Sequence, residues 1–280
     1  MNGYTMALRR SLDALGRFRR LSAAGLFGPF QVLGQQRELL YRLLKRDIAA
    51  RTSGALLGGV WLLAQPALQV LSFWFLLDFV LRVRAPGKVA FVDYFLTGML
   101  PWLFVSEIMT RNLSVLNEFG ALYQRTVFPL KALPLLPVLA AGIIYAPTYA
   151  VVAGVLAGPL AAVSAGLIMC GLLVWVLPAC YLLAVLGLFI RELRHLFPFL
   201  LTMVMYLTPI LYSPDMLPPG FRALLVFNPF ADVVALIHSL LHGPPATLGN
   251  LLRPLLCWAL LLGPAWVLFH RAEPHMREVL

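Results

Sequence analysis

Long stretches without a charged residue are separated along this chain by short polar segments. Residues 52–77 hold no charged side chain across 26 positions, enough for a helix to cross a hydrocarbon core of about 30 Å with some tilt. Residues 132–190 are uncharged for 59 positions, which suits two helices with a break near Gly158 and Pro159. No stretch alternates apolar and polar residues with a period of two. The pattern therefore predicts an all-α membrane protein and not a β-barrel.

Six transmembrane helices account for the apolar stretches. We divide the chain into a basic cytoplasmic N-terminal segment (1–34), an amphipathic interfacial helix (35–51), a transmembrane domain (52–270) and a cytoplasmic tail (271–280). Within the transmembrane domain, we expect an external re-entrant helical hairpin between spans 5 and 6. The spans are placed at about residues 54–81, 94–112, 132–157, 161–189, 195–213 and 251–270.

The segment before the first span has the periodicity of an amphipathic helix. Its apolar and basic side chains fall on opposite helical faces: Leu40, Leu43, Leu44 and Ile48 on one, and Arg42, Lys45 and Arg46 on the other. An ordinary solvated helix is one interpretation of this pattern. Because the segment runs straight into a membrane span, we favour an interfacial helix that lies flat at the cytoplasmic surface.

Residues 215–250, between the fifth and sixth spans, are moderately apolar but interrupted by proline and glycine. The pieces Leu217–Phe227 and Asp232–Leu241 are each too short to cross a bilayer as a helix. Irregular backbone at membrane depth is tolerated only inside protein or along a cavity. The segment is therefore predicted to form two half-membrane helices that enter from the external side.

The composition supports a membrane location and excludes some partners. Hydrophobic residues make up 61% of the chain and charged residues 12%, about half of the roughly 25% found in soluble domains. The formal net charge is +10, but ten of the 22 Lys and Arg residues lie in the first 51 positions. A basic terminus beside a hydrophobic body is typical of contact with anionic membrane lipid, so we expect no nucleic-acid partner.

The distribution of Lys and Arg also predicts the orientation. With a cytoplasmic N-terminus, 17 of these residues lie in inside segments and five in outside segments. Because cytoplasmic loops carry the excess of basic residues, we expect both termini in the cytoplasm and the protein in a bacterial inner membrane.

Motifs for catalysis and nucleotide binding are absent from the sequence. It contains no GxxxxGK[ST], HExxH or GxSxG and no set of ligands at metal spacing, so we expect no catalytic, cofactor-binding or metal-binding residue in this chain. Glu107 and Arg111 stand four residues apart at the inner end of the second span. A helical ion pair and a role in gating are both open for them.

Five motifs occur in a fixed order along the chain. They are LKRD at 44–47 followed by Gly54, Gly58, Trp61 and Pro66; GMLPWLF at 98–104; NEFGALYQRTVFP at 117–129; LTPILY at 207–212; and Leu217-Pro218 with Phe227-Asn228-Pro229. Together they resemble the motifs of the ABC-2-type permeases of polysaccharide exporters, which transport O-antigen, capsule or teichoic acid. The resemblance covers roughly residues 35–270.

The resemblance implies a non-catalytic permease that pairs with an identical copy and docks two separate ATPase subunits, which bind ATP and magnesium. A lipid-linked polysaccharide then passes between the two copies. The resemblance assigns ATPase coupling to the segment containing Asn117, Glu118, Phe119, Tyr123 and Arg125. It assigns a cytoplasmic gate to the helix containing Leu40, Leu43, Leu44, Asp47 and Ile48, and an external gate to residues 217–241.

Aromatic residues flank the first and last external segments. They suit either a belt at the membrane interface or a surface along which sugar rings slide, because aromatic faces pack on apolar C–H groups. The two roles can coexist on different helical faces. For the glycan channel we select Trp61, Phe73, Trp74, Tyr94, Trp102 and Tyr212.

The chain departs from the family pattern at two places. Ile190-Arg191-Glu192 stands where an FRD tripeptide is frequent, and Ile237-His238 stands where an arginine is frequent. The expected function is the permease subunit of an ATP-driven exporter of an O-antigen-like polysaccharide. An exporter of small drugs or lipids is the alternative within the class. A membrane-embedded glycosyltransferase or ligase would need catalytic carboxylates or histidines in an external loop, and Asp215 and Asp232 are too few for that.

Overall fold

The computed structural model describes residue 25 and residues 27–54, 58–83, 90–123, 129–212, 214–242 and 247–279. These residues form helices and short connections without a β-strand, which confirms the all-α prediction. The helices are α1 (27–35), α2 (Arg37–Thr52), α3 (Trp61–Trp74), α4 (Phe91–Asn112), α5 (Val115–Tyr123), α6 (Leu135–Ala157), α7 (Pro159–Trp175), α8 (Leu177–Phe189), α9 (Leu193–Leu207), α10 (Pro219–Arg222), α11 (Pro229–His242) and α12 (Leu248–Val279).

Four helical segments of the described chain are long and apolar enough to cross a membrane. They are Gly58–Val80, Phe91–Asn112, Leu130–Ala157 and Leu248–Val279. A fifth is added if α7 and α8, which are bent by 43° relative to each other, form one span. The chain is thus a multi-pass membrane protein, while the prediction of six spans is not confirmed.

Glycine and proline decide where several of these helices end. Gly158 has a φ of +90° and separates α6 from α7, at the break expected from the sequence. Gly has no Cβ and adopts this left-handed conformation without strain, and Pro159 suits the first position of the next helix. The predicted span 161–189 is not one straight helix, because α7 ends at Trp175 and α8 begins at Leu177 with Pro178 in its first turn.

The fifth predicted span, residues 195–213, differs most from the observed helix. α9 has 15 residues and ends at Leu207, so it is about 22 Å long at 1.5 Å per residue. Thr208 takes an extended conformation with ψ 136°, as expected for a residue before proline. At the other end of the chain, α12 continues to Val279 and includes most of the predicted tail, 271–280.

The expected re-entrant segment contains short helical pieces in the described residues. α10 is followed by a 3₁₀ helix over Ala223–Phe227 and then by α11. Asn228 separates the last two, and its side-chain amide donates to the Thr208 hydroxyl at 2.8 Å. The side chains of Phe230, Val234 and Ile237 are buried in the core. A hairpin that enters the membrane from outside remains a prediction.

The membrane helices differ greatly in how much of their surface is buried. In the most apolar stretch of each helix, 72% of residues are buried for Phe91–Asn112 but only 6% for Gly58–Val80. α4 therefore lies at the centre of the bundle, packed against α6, α8, α9 and α11. The segment Gly58–Val80 lies at its edge and leaves most of its apolar surface uncovered within one copy of the chain.

The predicted amphipathic helix occurs as α2, and its apolar face packs on protein. Leu40, Leu43 and Leu44 are buried and Ile48 is partly buried, and the helix lies against α6 and α3. α1, which the sequence did not predict, lies against the last helix. A Cβ on Gly28 would meet the indole of Trp266 at 2.3 Å, so only glycine permits this close approach.

Candidate functional site: a cleft along α3

A cleft with a volume of about 710 Å³ lies between α3, α4, α6 and α9. Each helix contributes residues of mixed character rather than a uniform apolar wall. Its aromatic members are Trp61, Phe73, Trp102 and Tyr145, its uncharged polar members are Gln65, Gln69, Ser106, Thr110 and Thr202, and its charged members are Arg51, Glu107 and Arg111. The charged residues lie together at the end of the cleft formed by the C-terminal parts of α2 and α4.

One face of α3 forms a continuous wall of the cleft. Trp61, Gln65, Gln69 and Phe73 follow one another at intervals of four residues, which places them on one face of a helix. From Trp61 to Phe73 the wall rises about 18 Å at 1.5 Å per residue. The two glutamines were missed in the sequence analysis, although two amides four residues apart in an uncharged span are the signal that identifies them.

Three of the six predicted channel aromatics line this cleft. Trp61 is 50% exposed and marks the rim near the start of α3. Phe73 is partly buried near the other end of the helix. Trp102 is only 4% exposed, and its ring meets Phe230 of α11 edge-on with centroids 5.0 Å apart. Trp61 and Phe73 are therefore the more accessible members, and Trp102 also packs the core.

The other three predicted aromatics lie outside the cleft. Trp74 lines a separate apolar groove between α3, α4 and α6. Tyr94 is buried, and its hydroxyl donates to the carbonyls of Pro209 and Tyr212 at 3.1 and 3.2 Å. Tyr212 lines a different pocket beside α9 and α11. The hydrogen bonds of Tyr94 thus connect α4 with the chain after α9.

The charged end of the cleft is a network of four side chains on two helices. The Arg111 Nη2 atom donates to Oδ1 of Asp47 at 2.7 Å, and the Arg51 Nη1 atom donates to Oε1 of Glu107 at 2.8 Å. The Arg51 Nε atom lies 3.3 Å from Oδ2 of Asp47. α2 and α4 are thus joined through both carboxylates, and Glu107 pairs with Arg51 instead of the helical neighbour Arg111.

This network is partly buried and incompletely hydrogen-bonded. Arg51 and Arg111 are 20% and 19% exposed, and Asp47 is 9% exposed. Burial raises the pKa of Asp47 above its ordinary value, and the nearby Arg51 opposes that shift. Among the described residues, Nη2 of Arg51 and Nη1 of Arg111 have no hydrogen-bond partner. Two guanidinium groups thus contact one carboxylate, and each has one nitrogen whose N–H groups no described residue accepts.

α5 carries the residues that the resemblance assigns to ATPase coupling. Asn117 and Glu118 are exposed, Phe119 packs against the core, and the Ser114 hydroxyl donates to the Glu118 carboxylate. Tyr123 ends the helix, with a side chain outside the description, and Arg125 lies outside the described residues. α5 therefore presents an exposed polar surface on a short helix.

The connection between α4 and α5 rests closely on α8. A Cβ on Gly187 would lie 2.0 Å from the Leu113 carbonyl oxygen, so a side chain at this position would collide with backbone. Arg194, at the start of α9, donates to the Gly187 carbonyl from Nε at 2.9 Å and from Nη2 at 2.7 Å. The α4–α5 connection is thus in contact with α8, and α8 is held to the start of α9.

The described part of the chain contains no group of three or more His, Cys, Asp and Glu side chains that could hold a metal ion. His238, at the position where the family pattern departs, is buried, and its ring is tilted by 33° relative to that of Tyr94 with the centroids 4.0 Å apart. Its Nε2 atom lies 3.0 Å from the Tyr94 carbonyl oxygen.

Comparison with known proteins identifies relatives of this chain by sequence. No protein-family model matches the chain. An O-antigen export system permease protein of Klebsiella pneumoniae is 28% identical over 208 residues, which cover 72% of this chain and 79% of the relative. A corresponding permease of Myxococcus xanthus is 28% identical over 217 residues, covering 75% and 82%. These matches confirm the resemblance drawn from the motifs: the chain is related to the permeases of O-antigen export systems.

Proposed function

We propose that this chain is the permease subunit of an ATP-driven exporter that moves a lipid-linked, O-antigen-like polysaccharide across the bacterial inner membrane. The cleft along α3 is the observation that supports this function best. It combines aromatic faces with amide and hydroxyl groups over about 18 Å, within a chain whose sequence is similar to that of an O-antigen export permease. Six spans, cytoplasmic termini and an external hairpin belong to the same proposal.

A sliding polymer needs contacts that are numerous, weak and similar in energy. Trp61 and Phe73 offer stacking surfaces for the apolar faces of sugar rings. Gln65 and Gln69, between them on the same helical face, offer amides that can exchange hydrogen bonds with successive hydroxyl groups. This alternation would hold a sugar chain without fixing it in one register.

The channel is proposed to form between two copies of the chain. The wall of the cleft belongs to the helix whose apolar surface is least covered within one copy, with 6% of residues buried in its most apolar stretch. A second copy facing this edge would close the cleft and cover apolar surface at once. We propose two ATPase subunits as the motor, engaged through the exposed Asn117 and Glu118 of α5.

Deletion and complementation test this function. A strain that lacks the gene is expected to lose surface polysaccharide and to retain the lipid-linked polymer inside the cell. The intact chain, expressed in that strain together with the partner ATPase subunit, restores the surface polymer. Retention of normal surface polysaccharide in the deletion strain would contradict the proposed function.

A further inference from the structure

At the charged end of the cleft, the arginines have more N–H donors than the carboxylates accept. Arg51 contacts Asp47 and Glu107, and Arg111 contacts Asp47. Each guanidinium group has five N–H donors in a planar fork. Nη2 of Arg51 and Nη1 of Arg111 are buried without a partner among the described residues. Both arginines line the cleft itself, so a group bound at this end of the cleft would meet their side chains.

The surroundings suit a phosphate group better than a further carboxylate. Ser106 and Thr110 lie one helical turn apart on the α4 wall and bring hydroxyl groups to the same end of the cleft. Guanidinium groups match phosphate oxygens in paired hydrogen bonds, and such charge-assisted bonds are stronger than neutral ones. Asp47 holds the two guanidinium groups close together, so one phosphate or diphosphate can reach both.

We propose that Arg51 and Arg111 form a binding site for a phosphate or diphosphate group at the charged end of the cleft. This inference rests on the proposed function, in which the anion is the headgroup that joins the exported glycan to its lipid. A free phosphate compound has the same chemistry and would occupy the same donors. The Glu107 carboxylate also faces the cleft and opposes an anion, so the bound group competes with Glu107 for Arg51.

Titration of the purified full-length chain in nanodiscs of zwitterionic lipid tests the site, with inorganic pyrophosphate as the probe. The ATPase is left out because its nucleotide sites also bind phosphate. We expect saturable binding by the parent chain. Loss of one guanidinium in Arg51→Gln or Arg111→Gln should weaken the affinity about ten-fold or more. Glu107→Gln keeps both arginines and should strengthen it at least about three-fold.

Arg42→Gln is the matched control, because Arg42 lies on the same helix but is 73% exposed and pairs only with Glu38 among the described residues. Its affinity should equal that of the parent. Replacing part of the nanodisc lipid with phosphatidylglycerol distinguishes the sources of the anion. Competition by this lipid indicates that the phosphodiester of an ordinary membrane headgroup can occupy the site, and its absence indicates that the site requires a diphosphate; either result agrees with the site.

Several results would overturn the site. They are no saturable binding by the parent, equal affinities in Arg51→Gln, Arg111→Gln and Arg42→Gln, or an unchanged affinity in Glu107→Gln. The last comparison remains decisive if an arginine variant fails to fold. The proposed function stands separately, because a chain that binds no pyrophosphate can still restore surface polysaccharide to the deletion strain.

Discussion

At the scale of single residues, the charged network shows what sequence spacing can and cannot specify. Glu107 and Arg111 are four apart on one helix, which made a local ion pair one of two open interpretations. The structure pairs Glu107 with Arg51 and Arg111 with Asp47 instead. The partners are 56 and 64 residues away. Only the packing of α2 against the bundle brings them together, so no local pattern could predict them.

Asp47 should therefore stabilise the junction between α2 and α4. Replacing Asp47 with Asn removes the charge that both Arg51 and Arg111 contact and leaves two neighbouring positive groups. We expect a loss of about 1–3 kcal/mol in the free energy of unfolding, measured as a lower thermal unfolding temperature in detergent. Glu38→Gln is the control, since Glu38 forms an exposed pair on the same helix. Equal unfolding temperatures for the two variants would show that the network contributes little.

Gly187 is a second position at which one residue controls a contact between helices. An alanine Cβ would lie 2.0 Å from the Leu113 carbonyl oxygen and would push the α4–α5 connection away from α8. We expect Gly187→Ala to lower stability by about 1–3 kcal/mol and to reduce transport per ATP hydrolysed. Gly166→Ala in α7 is the control, because nothing lies within 4 Å of its Cβ position. A Gly187→Ala variant as stable and as coupled as this control would contradict the contact.

At the scale of elements, hydrophobic periodicity predicted where helices occur better than where they end. The helical state and the break at Gly158 follow from composition and from glycine itself. The bend between α7 and α8 lies at Val176, which has an ordinary αR conformation; Pro178, two residues later, is the local signal for this break, but the predicted span ran through it. α9 ends at Leu207, two residues before Pro209, inside a stretch apolar enough to suggest a longer helix.

The face of α3 offers a test of the polar part of the cleft. Gln65→Leu or Gln69→Leu preserves the approximate volume and removes the amide that we assign to sugar hydroxyl groups. Export should fall about two- to ten-fold, the range expected from losing part or all of one hydrogen bond, while membrane insertion is unchanged. Surface polysaccharide is measured at matched expression.

Ser72→Ala is the control for these variants. Ser72 is also a polar residue of α3, but its hydroxyl donates to the Leu68 carbonyl at 2.7 Å and does not line the cleft. If both glutamine variants export as well as Ser72→Ala, the amides do not contact the polymer.

At the scale of the whole molecule, one copy of the chain buries its segments unequally, and the proposed pairing of two copies rests on this inequality. Burial is concentrated around α4, whereas Gly58–Val80 is left almost uncovered. The sequence cannot show this difference, because both segments are similarly free of charge over most of their length. It also could not show that Tyr94 and Trp102 are buried within one copy, since aromatic residues suit lipid, core and channel alike.

Assembly with the motor can be checked by purification. The chain alone should form a dimer and hydrolyse no ATP, because it has no phosphate-cradling loop. Coexpression with the partner ATPase subunit should give a complex of two permeases and two ATPases that hydrolyses ATP. Mass measurement in nanodiscs and phosphate release provide the readouts. A stable, transport-competent complex with a single permease would contradict the proposed channel between copies.

The central claim is that the cleft along α3 carries the polysaccharide, and surface polymer in single alanine variants tests it most directly. Trp61→Ala and Phe73→Ala remove accessible rings from the cleft, while Phe79→Ala removes a ring that is 70% exposed on the same membrane segment but outside it. At matched expression and ATPase binding, we predict reduced surface polysaccharide for Trp61→Ala and Phe73→Ala and parental levels for Phe79→Ala. Parental export by all three variants would contradict the account.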